Sequence, residues 1–202
     1  MGPDELLAPP RTYGRSDVLA RPSPVPRKSG VYGWYFDEEP PGVPTDGCHS
    51  TDAGWLLYVG IAPREPAANG AQPSRQTLWN RLRNHYRGNA SSSTLRLTLG
   101  CLLAERLDLG LRRVGNTARL TFVAGEHVLS DWMADRARVV WMEHEEPWRL
   151  ELELISSLVL PLNLKDNSHG SFRPALRAAR SAQREKARNL PVVPSPGGTV
   201  AG

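Results

Sequence analysis

Residues 147–160 (PWRLELELISSLVL) read as an amphipathic helix with one residue of the wrong type for its place. At about 100° per residue, Leu150, Leu154, Ile155 and Leu158 define an apolar face. Glu151 falls near the centre of that face, while Glu153 points to the opposite side and is ordinary solvated surface. An ionised carboxylate on an apolar face is costly unless a cation or hydrogen-bond donors meet it. Glu151 is therefore a candidate for chemistry that uses a bound cation. The alternative is a structural ion pair with a buried arginine.

A second pair lies upstream. Arg81 and His85 are spaced i, i+4 and share one flank of a helix, beside the apolar stripe of Leu78, Leu82 and Tyr86. A guanidinium and an imidazole at the edge of a core suit a site that grips phosphate. A solvated polar pair is the other reading. The third feature is charge. From Lys165 to Arg188 the chain carries Lys165, Arg173, Arg177, Arg180, Arg184, Lys186 and Arg188 against Asp166 and Glu185, so this segment holds the net excess of a chain whose formal charge is +4. Arg173, Arg177, Arg180 and Arg184 recur along one stripe and could track a phosphate backbone, or simply face water on a helix packed against the domain.

The elements that must position these residues follow from the pattern. The 202 residues are 40% hydrophobic and 23% charged, enough for a real core and near the globular average. Cys48 and Cys101 give neither a disulfide framework nor zinc-ligand spacing. The first residues are acidic and lack an apolar run, and no stretch approaches a membrane span, so the expectation is a cytoplasmic protein with no membrane partner.

Residues 30–36 (GVYGWYF) and 55–60 (WLLYVG) are dense in aromatic and β-branched residues and read as strands, paired as a hairpin with a long connection. Residues 37–53 and 62–76 are polar loops. Thr77 caps a helix running to about residue 87, and a second helix covers 94–109. Residues 119–124 read as a strand and 128–138 as a short helix, so 110–137 looks like an inserted hairpin and helix. Residues 138–142 form a further strand, followed by an acidic turn at 143–146. Pro147 suits the first turn of the helix that bears Glu151. A last, Arg-rich helix spans about 174–188.

In order, Gly30-Val31-Tyr32, Tyr58-Val59-Gly60, Leu78-Trp79-Asn80-Arg81 with His85, Glu151 with Leu154-Ile155, and Asn163 resemble the motifs of the GIY-YIG nuclease superfamily. The glutamate of that pattern falls on the residue that helix geometry had singled out. The resemblance covers residues 30–163. It departs at Ile61, where some members place a lysine, and in the longer loops at 37–53 and 62–76.

The resemblance implies an α+β fold: a small antiparallel sheet flanked by helices, with inserted loops and a C-terminal basic helix. Together with composition and charge it divides the chain into an irregular Pro-rich arm (1–28), the nuclease-like domain (29–165), a basic helical extension (166–190) and a disordered Pro/Gly-rich tail (191–202). It implies a metal-dependent endonuclease that hydrolyses phosphodiester bonds in DNA. One ion, Mg²⁺ or Mn²⁺, would sit on Glu151 with water filling most of its shell. Arg81 would bridge phosphate oxygens. Tyr58 would be the base that activates water, its pKa lowered by Arg81 and the metal, with His85 or Tyr32 relaying the proton and Asn163 orienting hydrogen bonds. Arg83, Arg87, Arg173, Arg177, Arg180 and Arg184 are the expected nucleic-acid contacts. Asn167, His169 and Phe172 form either an accessory wall of the site or a capped turn. A non-catalytic or structure-specific nucleic-acid-binding module on the same fold is the alternative function.

Overall fold

The structure is a computed structural model that describes residues 4–66, 74–117, 119–168 and 170–195. At its centre is β1 (Gly30–Phe36), buried at every position. A strand covered on both faces needs an unbroken apolar run, and GVYGWYF supplies one. β1 pairs antiparallel on one side with β3 (Gly54–Ala62) and on the other with β6 (Ala137–Glu143). A two-residue strand, β2 (Ser50–Thr51), adds to β3, so the sheet order is β2-β3-β1-β6. The expected hairpin of residues 30–36 and 55–60 is present, and β2 lies inside the loop that joins its strands.

Side chains leave β1 alternately. Tyr32, Trp34 and Phe36 join the core formed with Leu78, Leu82 and Tyr86 of α3 (Leu78–Arg87). Val31 and Tyr35 join Leu150, Leu154 and Ile155 of α6 (Pro147–Ser157) on the other face. Both helix starts follow from sequence. The Thr77 hydroxyl accepts the Asn80 backbone N–H, and the fixed φ of Pro147 suits a first turn. On the α3 side lie α4 (Thr94–Leu102) and α5 (Gly125–Arg136), with a small hairpin of β4 (Arg112–Val114) and β5 (Arg119–Thr121) between them in sequence. α4 is shorter than the pattern of 94–109 implied, because the chain passes into turns after Leu102. The last helix, α7 (Arg173–Arg188), packs along α4 and β4.

Two terminal expectations are corrected. The arm at 1–28 contains α1 (Asp4–Leu7) and α2 (Arg15–Leu19), and Tyr13 bridges to Val139 beside the sheet. Leu6 and Val18 are fully buried, so burial of a few apolar side chains orders a Pro-rich segment. At the other end, Val193 donates to Arg113 O at 2.8 Å and accepts from Gly115 N at 2.9 Å, so the start of the 191–202 tail lies against β4. Residues 196–202 lie outside the described residues. Among the described residues no helix is long and apolar enough to cross a membrane.

Candidate active site

The two strand motifs converge through one glycine. Tyr32 on β1 lies opposite Gly60 on β3. A Cβ at Gly60 would stand 2.5 Å from the Tyr32 hydroxyl and 2.7 Å from Cζ. The missing side chain at residue 60 is thus the space the phenol of Tyr32 fills. Tyr58, two residues earlier on β3, turns to the same face, with its ring 6.4 Å from that of His85.

α3 delivers the other polar groups. Arg81 and His85 are buried at 8% and 0% exposure, which removes the reading of a solvated pair. Arg81 Nε donates to the Tyr32 hydroxyl at 3.3 Å, and Arg81 Nη1 donates to Ser92 O at 3.1 Å. His85 Nε2 is 2.8 Å from the same Tyr32 hydroxyl, and its Nδ1 is 2.7 Å from Ser93 Oγ. Ser93 is also the N-cap of α4, accepting Arg96 N–H. Beneath this lies Arg96, wholly buried, which donates to His85 O, to Ser130 Oγ and to Glu126. The bonds from Ser93 and Arg96 to His85 hold it in place against Tyr32.

Asn163 has a backbone role that its sequence position did not reveal. Because β2 is so short, most of β3 has a free edge. Asn163 Oδ1 accepts Val59 N–H at 2.9 Å, and Asn163 Nδ2 donates to Val59 O at 2.9 Å. Its carboxamide therefore replaces a neighbouring strand, next to Tyr58. Leu162 N donates to Leu57 O and extends the same seam. Asn167 Nδ2 in turn donates to Asn163 O and Leu160 O. The seam carries the chain after α6 around the edge of β3, and Glu151 reaches the tyrosines from that side.

Tyr32, Tyr58, Gly60, Arg81, Glu151 and Asn163 line one cleft of about 620 Å³. Burial pushes the Glu151 carboxyl up to about 7, against the opposing pull of Lys165 and Arg81. No hydrogen bond or ion pair to Glu151 is found among the described residues, which removes the buried-arginine reading there. Burial also raises the phenols of Tyr32 and Tyr58, outweighing Arg81 in both. Arg81 pulls the Tyr58 pKa down as expected, but burial outweighs it, so the expected net lowering is not met by the protein alone. Burial, with Arg81 and Arg96 nearby, holds His85 far below the usual imidazole range, so its ring is neutral. The neighbouring phenols, Tyr32 first, raise Arg81 further, so it is a fixed cation.

Sequence reasoning missed Arg64 and Lys165 as cleft residues. Both lie in irregular segments, where periodicity assigns no facing. Conversely, Arg83 and Arg87 are not brought to the cleft. They lie across α3 from Arg81 and His85, exposed, with Arg83 over the Trp79 ring at 5.4 Å. Asn167 and Phe172 line a separate apolar pocket of about 120 Å³ with Arg173, and His169 lies outside the described residues. Arg177 is exposed, while Arg173, Arg180 and Arg184 are half-buried.

The GIY-YIG catalytic domain family matches residues 30–182, a span that holds every residue of this cleft and runs on into α7. The chain belongs to the GIY-YIG family, whose members are generally nucleases. No curated protein and no solved structure matches the chain significantly.

Proposed function

We propose that this chain is a metal-dependent endonuclease that hydrolyses phosphodiester bonds in DNA. The observation that carries the reading is the convergence of an arginine, two phenols and an unpaired carboxylate on one cleft, drawn from β1, β3, α3 and α6. Among the described residues no group of three or more His, Cys, Asp or Glu could hold a metal, so Glu151 would be a lone protein ligand. That donor set fits Mg²⁺ or Mn²⁺, which keep most of their waters, better than a cation needing a protein cage. When bound, the ion supplies positive charge for the phosphate oxygens and the leaving oxygen.

The chain's own groups do the rest. Arg81, a fixed cation, holds the phosphate and stabilises the charge that builds on it. The proton path runs through Tyr32 rather than Tyr58. Tyr32 has a proton acceptor, His85 Nε2, at 2.8 Å, and a cation, Arg81 Nε, on the same oxygen. In this reading His85 carries its proton on Nδ1 and donates it to Ser93, leaving Nε2 free to accept. As water attacks phosphorus, its proton passes to the Tyr32 oxygen and the Tyr32 proton passes to His85. The new P–O bond forms as the ester P–O bond breaks, and the proton returns from His85 through Tyr32 to the leaving oxygen, which departs as an alcohol. Arg81 offsets the charge on the phenol oxygen during this step. Tyr58 positions the water or phosphate, and Asn163 holds Tyr58 in place through Val59.

A cleavage screen tests this reading. The chain is incubated with plasmid, single-stranded, flap and junction DNA, and with RNA, each with and without Mg²⁺. Mg²⁺-dependent cleavage of at least one DNA substrate is expected. Binding to every substrate without cleavage would favour the non-catalytic module instead.

A further inference from the structure

α7 repeats, with opposite sign, the anomaly that marked Glu151. Its buried positions are Leu176, Gln183 and Ala187. At about 100° per residue Arg177 lies about 100° from Leu176, and Arg180 only about 40° from it, on the flank of this stripe. It is therefore turned toward α4, not outward with Arg177. Arg180 is half-buried, and its Nε is sealed from solvent without a hydrogen-bond partner. No ion pair to Arg180, or to any other cation of α7, is found among the described residues. Arg96, the fully buried arginine on α4, is saturated by Glu126, His85 and Ser130. The fold thus satisfies one inward arginine with a carboxylate and leaves another without one. With its Nε sealed, as is that of Arg173 on the same helix, and with no acid among the described residues paired to it, Arg180 has its outer guanidinium nitrogens left for an arriving anion.

The surroundings say where that anion would lie. α7 packs along α4, whose first residue, Thr94, lines the catalytic cleft. Burial and the neighbouring Arg184 lower the Arg180 pKa, while Cys101 and Tyr58 are close enough to oppose them. The region holds cations from α7 and no acid of that helix except Glu185, which is exposed.

We propose that Arg180 is a second phosphate-binding arginine, which takes a backbone phosphate of the bound nucleic acid other than the one being cleaved. The inference rests on the nuclease reading and deepens it. Arg81 grips the reacting phosphate. Arg180 fixes the strand along the wall formed by α4 and α7. The α7 arginines then differ in duty: Arg177 adds diffuse attraction from the surface, and Arg180 makes a placed contact.

The test compares the wild-type chain with Arg180→Met and Arg180→Lys, without divalent metal. Binding to a short DNA duplex is measured across a salt series, and thermal melts are run on the same samples. Arg180→Met is expected to flatten the slope of log K against log salt by about 0.9, the loss of one phosphate contact. It is also expected to raise the melting temperature, because an unpaired charge leaves a packed face. Arg180→Lys keeps the slope. In wild type, replacing one particular phosphate by a neutral methylphosphonate lowers affinity, and in Arg180→Met that same replacement costs nothing further. An unchanged slope in Arg180→Met would overturn the proposal and leave the nuclease reading standing. An unchanged slope with a lowered melting temperature identifies Arg180 as a structural strut, which also overturns it. Absence of nucleic-acid binding by the wild-type chain overturns both.

Discussion

The Tyr32 hydroxyl and His85 Nε2 lie 2.8 Å apart although 53 residues separate them in sequence. The contact exists because Gly60 leaves room for the phenol and Ser93 holds the far side of the imidazole. If the pair acts as one proton path, its members are not independent. Tyr32→Phe and His85→Gln should each lower the cleavage rate by roughly 10²–10⁴-fold. The double variant should fall no further than the worse single one. Single-turnover kinetics on one substrate decides this, and multiplying losses would mean that the two residues act separately.

Gly60→Ala places a methyl carbon where the Tyr32 hydroxyl now stands, at 2.5 Å. The phenol must shift, which disturbs its contacts with His85 and Arg81. Overpacking of this kind costs about 1–3 kcal/mol, so a folded but destabilised protein is expected. Its cleavage rate should resemble that of Tyr32→Phe. A melt and a rate on the same sample check both parts, and a stable, fully active Gly60→Ala would contradict the packing argument.

The legible parts of this molecule were those with a local pattern of residue types. The aromatic and β-branched runs of β1 and β3, the stripe of α3 and the odd carboxylate on α6 could be read from residue types, and the fold brings Tyr32, Tyr58, Arg81 and Glu151 into one cleft. The ordering of the N-terminal arm was not legible, because Leu6 and Val18 bury singly in segments without repeat. Asn163 was found by resemblance, yet its task is to close the β3 edge, which no local pattern encodes. In the sequence Arg180 shares one stripe with Arg173, Arg177 and Arg184. Phase along α7 separates them only once Leu176, Gln183 and Ala187 are known to be the buried positions.

Asn163→Ala leaves the buried N–H and C=O of Val59 without partners. Each orphaned group costs about 1–3 kcal/mol, so a loss near 3 kcal/mol in unfolding free energy is expected. Activity should fall as well, because Tyr58 adjoins the loosened strand. Asn163→Asp keeps the acceptor for Val59 N–H and loses the donor, so it should fall between wild type and Ala in denaturant melts. Equal stability of all three would contradict the edge-closing role.

Glu151 and His85 have opposite effects on stability as pH changes. The folded-state pKa of Glu151 is raised to about 7, so its contribution is fully present below the unfolded carboxyl value and is lost as pH rises to about 7. His85 is lowered well below the imidazole value, so its contribution is present above about 6.5 and is lost as pH falls. The two slopes oppose one another in mildly acidic solution. Glu151→Gln removes one of them. The variant should melt with wild type near pH 4 and above it by a margin that grows to a plateau past pH 7, roughly 2 kcal/mol after allowing for partial solvent exposure. A margin that shrinks with rising pH would mean that a cation of the protein pairs with Glu151.

The central claim is that Glu151 serves chemistry and not architecture. Wild type and Glu151→Gln are incubated with supercoiled plasmid and Mg²⁺, with folding and DNA binding measured on the same preparations. Wild type should nick the plasmid, and Glu151→Gln should fold, bind and fail to nick, with Glu153→Gln behaving as wild type. Nicking by Glu151→Gln at the wild-type rate, or its loss in Glu153→Gln instead, would contradict the account.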